Sequence, residues 1–323
     1  MNKSTKIWLI IAASLVLVGC FAFVVTMAEF NWNFAEFSTV RLETTTHEIE
    51  DSFENITVIA DTADVSFVLS DDSSCKVVCV EDVKAKHLVS VSDGTLNIQL
   101  IDEKQWYDYI SIGLESTSPE ITVYLPAYEY GALNIKADTS DVKIANGFSF
   151  ESMEVSVSTG DVESRANTSG LVKIKTSTGD VSLEEMTVGE LDLTTSTGDV
   201  TVSDVVCEGE LKNKVTTGEV ELTNVICRSL DSTGGTGDLF MENVIVVDRL
   251  SVERSSGDVS FVGCDAAEIV ISTSTGDVEG TLLSDKIYII KTSTGDVNVP
   301  DSAQGGRCEI TTSTGGVKIR VRK

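Results

Sequence analysis

From about residue 131 to the C-terminus, apolar and polar residues alternate in short runs, and a Ser-Thr-Gly-Asp-Val motif or a close variant interrupts them at a fixed interval. Nine glycines mark the motif: Gly160, Gly179, Gly198, Gly218, Gly237, Gly257, Gly276, Gly295 and Gly315, always 19 or 20 residues apart. One interval earlier, Thr139-Ser140-Asp141-Val142 keeps the spacing with serine in the glycine place. Aligned on the glycine, the seventh residue before it is apolar (Met153, Val172, Leu191, Leu211, Leu230, Leu250, Ile269, Tyr288, Cys308). So, in most repeats, is the fifth (Val155, Ile174, Leu193, Val252, Ile271, Ile290, Ile310). Period-two alternation of this kind predicts a strand. Valine usually sits two residues after the glycine, with Leu183, Val202, Leu222, Met241, Phe261 or Val299 two further on, which predicts a second, shorter strand. Met186, Val205, Val225, Val244, Cys264 and Leu283 then recur at plus seven and predict a third inward-facing side.

A unit of about 20 residues cannot bury its apolar side alone, whereas stacked units enclose one continuous core. The expected fold is therefore all-β, a parallel β-solenoid or β-helix with about 20 residues per rung. It is expected to be right-handed by extension from parallel crossovers. The competing arrangement is an antiparallel meander in which Gly-Asp makes a two-residue hairpin turn. It has no need for the apolar position at plus seven. Cys207 and Cys227 separate the two, since each lies nine residues after its glycine. A solenoid puts them side by side on adjacent strands, about 5 Å apart, and a meander puts them two strands apart.

Before residue 131 the 20-residue repeat is absent, although residues 56–69, 88–100 and 121–125 still read as strands. Thr62-Ala63-Asp64-Val65 is a degenerate copy of the turn. Residues 29–130 are thus expected to form an irregular β region capping the array of residues 131–323, as a distorted start of the same coil. Trp106, Tyr107 and Tyr109 fall in its most irregular stretch, where covering an open core end and binding carbohydrate are both open uses. At the other terminus, Lys318, Arg320 and Arg322 alternate with apolar residues, as expected of a charged edge that resists pairing.

Residues 1–28 differ from all this. Lys3 and Lys6 precede a nearly unbroken apolar run from Ile7 to Ala28, long enough to span a bilayer as an N-terminal transmembrane helix. The flanking charge predicts a signal anchor in a bacterial cell membrane, single-pass, with the C-terminal region extracellular. The rival reading is a lipoprotein signal, because Leu17-Val18-Gly19-Cys20 resembles a lipobox with Cys20 as the lipidated residue.

Composition narrows the partners. The 51 acidic residues against 24 Lys and Arg give a formal net charge of −27, which repels phosphate backbones and excludes nucleic acid as a partner. At 41% hydrophobic residues the chain is too apolar for a disordered acidic tail. The cysteines Cys75, Cys79, Cys207, Cys227, Cys264 and Cys308 lack C-x-x-C spacing and read as core packing.

The strand Ile121-Thr122-Val123-Tyr124-Leu125-Pro126, followed by the Thr-Gly-Asp-Val rungs, resembles the bacterial putative-adhesin family of β-strand repeat proteins, which includes LiaG-like envelope proteins. The resemblance covers most of residues 50–323. It implies a membrane-anchored repetitive β fold and supplies no catalytic residues.

The most unusual chemistry is the acidic column directly after the glycines: Asp141, Asp161, Asp180, Asp199, Glu219, Asp238, Asp258, Asp277 and Asp296. Stacked carboxylates about 5 Å apart repel one another, and weakly bound calcium, an oxygen-seeking cation, would relieve that repulsion. The alternative role is local, each aspartate accepting N–H groups of its own turn while glycine supplies positive φ. No cofactor is expected. The two histidines, His47 and His87, lie outside the repeats, which leaves a hydrolytic triad there without its base. The expected function is a non-catalytic cell-surface binding or scaffold module with an envelope protein or carbohydrate as ligand. A carbohydrate-active enzyme on a β-helix is the alternative.

Overall fold

A computed structural model describes residues 2–29, 42–72, 74–103 and 118–322. Trp106, Tyr107 and Tyr109 lie outside the described residues. Helix α1 (Lys3–Glu29) is followed by strands β1 (Leu42–Ile49), β2 (Asn55–Ile59), β3 (Asp64–Leu69), β4 (Cys75–Asp82), β5 (Ala85–Ser92), β6 (Thr95–Asp102) and β7 (Glu120–Leu125). The repeats come next, each named here by the residue at its glycine position.

The repeats pair in parallel, and nearly everywhere in the register that the glycine alignment predicts. Val181 faces Val200, which faces Val220; Leu193 faces Ile174; and Cys207 faces Cys227. The Cys207–Cys227 register is that of a stacked coil and removes the meander. Each rung has three sides. A short strand follows the Gly-Asp turn, a left-handed turn leads to the plus-seven side, and a register irregularity, as between Val188 and Leu191, bends the chain into the long strand. All three sides put apolar residues inside: Leu191 and Leu193, then Val200 and Val202, then Val205 and Cys207 are each 2% exposed or less. Fully burying a side chain of this size contributes roughly 1.5–3 kcal/mol. Leu283 does not follow the expected column. It is 43% exposed, and Leu282 points inward instead, opposite Cys264 across a register shift.

The stacking order departs from chain order at both ends. The β2/β3 rung lies between the β6/β7 rung and the Ser140 rung, because β2 pairs with both β6 and Glu129–Thr139 while β3 pairs with both β7 and Val142–Ile144. Likewise the Gly315 rung is inserted between the Gly276 and Gly295 rungs: Gly306–Thr314 pairs with Val259–Thr275 on one side and Lys286–Thr294 on the other. The Gly295 rung is therefore the spatial terminus. This explains why Tyr288 is only half-buried and Val297 is 49% exposed. It also corrects the reading of the terminal cations. Strand Val317–Val321 is no edge, since it pairs with Val278–Leu282 and with Val297–Asn298, and Lys318 faces Glu279 at 3.9 Å.

At the opposite end the core is closed by antiparallel strands. The hairpin β4–β5 straddles the β6/β7 rung, β5 pairing with β6 and β4 with β7, and β1 adds outside β4. Phe67, Phe148, Phe150 and Tyr130 fill the core near this end, with ring centroids about 6 Å apart in successive pairs. Helix α1 is apolar over a membrane-spanning length, and its most hydropathic window buries nothing against the rest of the protein.

Candidate functional site

The repeat turn explains its own sequence. From Gly160 to Gly315 the nine motif glycines have φ between +128° and +152°, a region closed to side-chain-bearing residues. A Cβ on Gly218 would also lie 2.0 Å from the carbonyl oxygen of Gly198 in the rung below. The column therefore needs glycine for both conformation and approach. Ser140 is free of the φ constraint. It is buried, and its Oγ donates to the Ala63 carbonyl at 2.6 Å, tying the first regular rung to the Thr62–Val65 copy of the turn.

The acidic column forms a ladder between rungs, where the sequence suggested bonds local to each turn. Asp161 Oδ1 accepts the Asp180 N–H at 2.8 Å, Asp180 Oδ1 that of Asp199 at 2.8 Å, and Asp199 Oδ1 that of Glu219 at 2.7 Å. Asp238 and Asp258 continue it toward Asp258 and Asp277, both at 2.8 Å. Because the Gly315 rung is inserted, Asp277 Oδ1 receives the Gly316 N–H at 2.7 Å, and Asp296 sits beyond Gly316, which has no carboxylate to offer. At the other end Asp64 Oδ1 accepts from Asp141, and Asp141 from Asp161, both at 2.9 Å, so the degenerate turn belongs to the ladder. Among the described residues the run breaks at Glu219, whose longer side chain makes no bond to the Asp238 N–H. All the side chains from Asp161 to Asp296 are exposed. Each carboxylate in the ladder thus has one oxygen engaged in a charge-assisted bond that offsets repulsion along the column.

Two further columns flank it. Thr176, Thr195, Thr273 and Thr312 are buried, and each Oγ1 donates to the carbonyl of a glycine on the neighbouring rung at 3.1–3.5 Å. At the second corner Glu185, Asp204, Asn224 and Asn243 all have φ of +53° to +55°, and Gly263 takes the same place. There Asn224 Nδ2 donates to Asp204 Oδ1 at 2.9 Å and Asn243 Nδ2 to Asn224 Oδ1 at 3.1 Å. Asn and Asp tolerate the left-handed region. Their recurrence six residues after the glycine was a legible signal that the sequence reading passed over. Basic residues on the outer faces pair across rungs with acids, as Lys173 does with Glu154 at 2.8 Å and Lys143 with Glu163 at 3.2 Å.

The repeats also bury a polar network. Arg254, 2% exposed, takes an inward place in the threonine column and donates from Nη2 to Ser232 Oγ at 3.0 Å, and Ser232 donates to Asn213 Oδ1 at 2.7 Å. Burial pulls the guanidinium down to about 10. Room for it comes from Gly234, where a Cβ would lie 1.7 Å from Arg254 Nη1.

The family model described as Toastrack DUF4097 matches residues 53–243 and 208–323. No curated protein matches the chain. Among solved structures, one described as a putative adhesin from Parabacteroides distasonis is 12% identical and covers 75% of this chain and 97% of its own, with a TM-score of 0.49. One described as a putative lipid binding protein from the same organism is 19% identical, covering 74% of this chain and 96% of its own, also at 0.49. A further one, described as a putative adhesin from Bacteroides fragilis, is 14% identical and covers 87% and 97%, at 0.43. The family assignment rests on the sequence match.

Proposed function

The chain belongs to the Toastrack DUF4097 family, and from that premise we propose that it is a membrane-anchored, non-catalytic display module whose solenoid stands outside the cell and binds an envelope protein or carbohydrate. The observation that carries this reading is the contrast between α1 and everything after it. The helix leaves Trp8 at 68%, Leu17 at 70% and Phe21 at 72% exposure, while the solenoid buries most of its apolar side chains, with exceptions such as Val247 and Val297. Large apolar surface left open on a chain with a closed core marks a lipid or partner contact, and the length of α1 fits a bilayer. Lys3 and Lys6 stand before the apolar run and no Lys or Arg follows until Arg41, a bias that supports an outside location for the bulk of the chain.

Alkaline extraction and protease shaving of wall-stripped cells test this. The expected result is a protein that stays in the membrane pellet at high pH and loses its repeats to external protease. Repeats that are degraded only after lysis would reverse the topology. A mature chain beginning at a lipidated Cys20 would replace the spanning helix with a lipid anchor. Binding is tested by cross-linking the full-length protein in intact envelopes. Specific partners or glycan strands are expected, and their absence across salt concentrations would remove the binding reading.

A further inference from the structure

At the capped end, where β4 and β5 leave their shared turn to follow different strands of the β6/β7 rung, three chemically different donors converge. Cys79 and Glu81 alternate on β4 and so share a face, and His87 approaches from β5. Their donor atoms all lie within 4.8 Å of one another, and the three residues are 0%, 1% and 5% exposed. Glu81 Oε2 lies 2.9 Å from His87 Nδ1 and also accepts the His87 backbone N–H at 2.6 Å. Nδ1 and the Glu81 carboxylate are near enough for one cation to take the place of the proton between them. The ring's Nε2 is buried and has no hydrogen-bond partner. A buried imidazole nitrogen without a partner is costly, and the ring that carries it sits beside a thiol and a carboxylate. A cavity of about 190 Å³ lined by Glu81, His87, Asp82, Asp102 and Pro119 opens next to the cluster and gives an ion a way in.

We propose that Cys79, Glu81 and His87 form a binding site for a zinc-class divalent transition-metal ion that clamps the β4–β5 hairpin over the end of the solenoid core. The donor set selects the ion. Sulfur and imidazole nitrogen with one carboxylate suit zinc and its neighbours, whereas calcium and magnesium require oxygen cages. The site lies apart from the exposed acidic column and was not visible as a motif, because Cys79-x-Glu81 and His87 match no common zinc spacing.

The test uses the full-length protein in detergent, stripped with a chelator and titrated with cobalt(II) and then zinc. One equivalent of cobalt is expected to bind with a sulfur-to-cobalt charge-transfer band that zinc abolishes. Cys79→Ser and His87→Gln should each weaken binding at least tenfold, while Cys75→Ser and Cys227→Ser leave the band intact. Zinc should raise the melting temperature of the stripped wild-type protein, and calcium or magnesium at equal ionic strength should not. The wild-type readings stand even where a variant fails to fold. Absence of the charge-transfer band in the wild type, or its survival in a folded Cys79→Ser protein, overturns the proposal.

Discussion

Replacing Arg254 with methionine should make this protein more stable. The guanidinium is buried with Nε and Nη1 unpartnered, and only Nη2 has a bond, to Ser232. Its fall from the ordinary arginine range to about 10 corresponds to roughly 3 kcal/mol of unfavourable charge burial, at about 1.4 kcal/mol per tenfold. Losing the Ser232 bond costs about 1.5–3 kcal/mol, and the two unsatisfied donors belong to the same burial penalty rather than adding to it. Methionine keeps a similar volume and adapts to irregular space, and Ser232 retains its bond to Asn213. The net expectation is a gain of up to about 1.5 kcal/mol, in the direction found for other buried charges replaced by apolar residues. Gly234→Ala gives the converse. Its Cβ would lie 1.7 Å from Nη1 and 2.6 Å from Cζ, so it should cost about 2 kcal/mol or more with Arg254 present and much less in an Arg254→Ala background.

The assay is denaturant unfolding of the full-length protein in micelles, with hydrogen exchange at amides of strands Ile226–Thr236 and Ile245–Ser256 to localise the change, since solenoids do not always unfold as one unit. The pH dependence has a defined sign. The folded state gives up the Arg254 proton at a lower pH than the unfolded chain does, so above about 10 the unfolded state binds more protons and stability rises with pH. The advantage of Arg254→Met should therefore be full below pH 10 and narrow above it. A variant that is less stable by more than about 1 kcal/mol at neutral pH would refute the reasoning and make the Arg254–Ser232–Asn213 network a net source of stability.

The turn columns make their own predictions. Gly218→Ala meets both a φ of +147° and a carbonyl 2.0 Å from its Cβ, and should cost at least about 3 kcal/mol or prevent folding, read by thermal unfolding. Asp180→Ala removes the acceptor for the Asp199 N–H and should cost about 2 kcal/mol, whereas Glu219→Asp should gain about 1 kcal/mol by completing the ladder to Asp238; matched unfolding curves check both. Calcium at matched ionic strength should raise the melting temperature no more in the wild type than in a protein with Asp180, Asp199, Asp238 and Asp258 changed to asparagine; a larger rise in the wild type would make the column a cation site. Cys227, pushed up to about 12 by burial, should react with a maleimide only as fast as the solenoid opens, as mass spectrometry of timed labelling would show.

What the sequence disclosed depended on whether a feature repeats. The solenoid was legible because the same constraint recurs in most rungs: the glycine with its φ, the apolar pair before it, and the buried residue at plus seven. The acidic column was equally legible as a column but not as a ladder, because spacing along one chain does not say whether Oδ1 turns back to its own turn or reaches the N–H of the rung above. Arg254 was lost among the scattered basic residues. Its burial depends on Gly234 one rung away, a pairing that appears only once the register is known. The Cys79–Glu81–His87 cluster was hidden for a similar reason, since it forms where two strands diverge and no periodic signal marks it.

Chain order is the one aspect of the fold that periodicity could not have predicted, and it changes how the array ought to fail. In an ordinary solenoid the terminal repeat has a neighbour on one side only and frays first. Here the last repeat in sequence, Gly306–Val321, has a strand on each side, and so does the first, β2/β3. Neither can leave without breaking two parallel ladders. The exposed positions fall instead to the Gly295 rung, whose Val297 is open to solvent, and to the antiparallel β1–β4–β5 cap, which is joined through residues 30–41 to α1. With α1 anchored as proposed, a pull transmitted along the chain reaches β1 and its eight-residue pairing with β4 before it reaches any rung. The cap is the element that must give way first under load, while the interleaved rungs behind it keep their register.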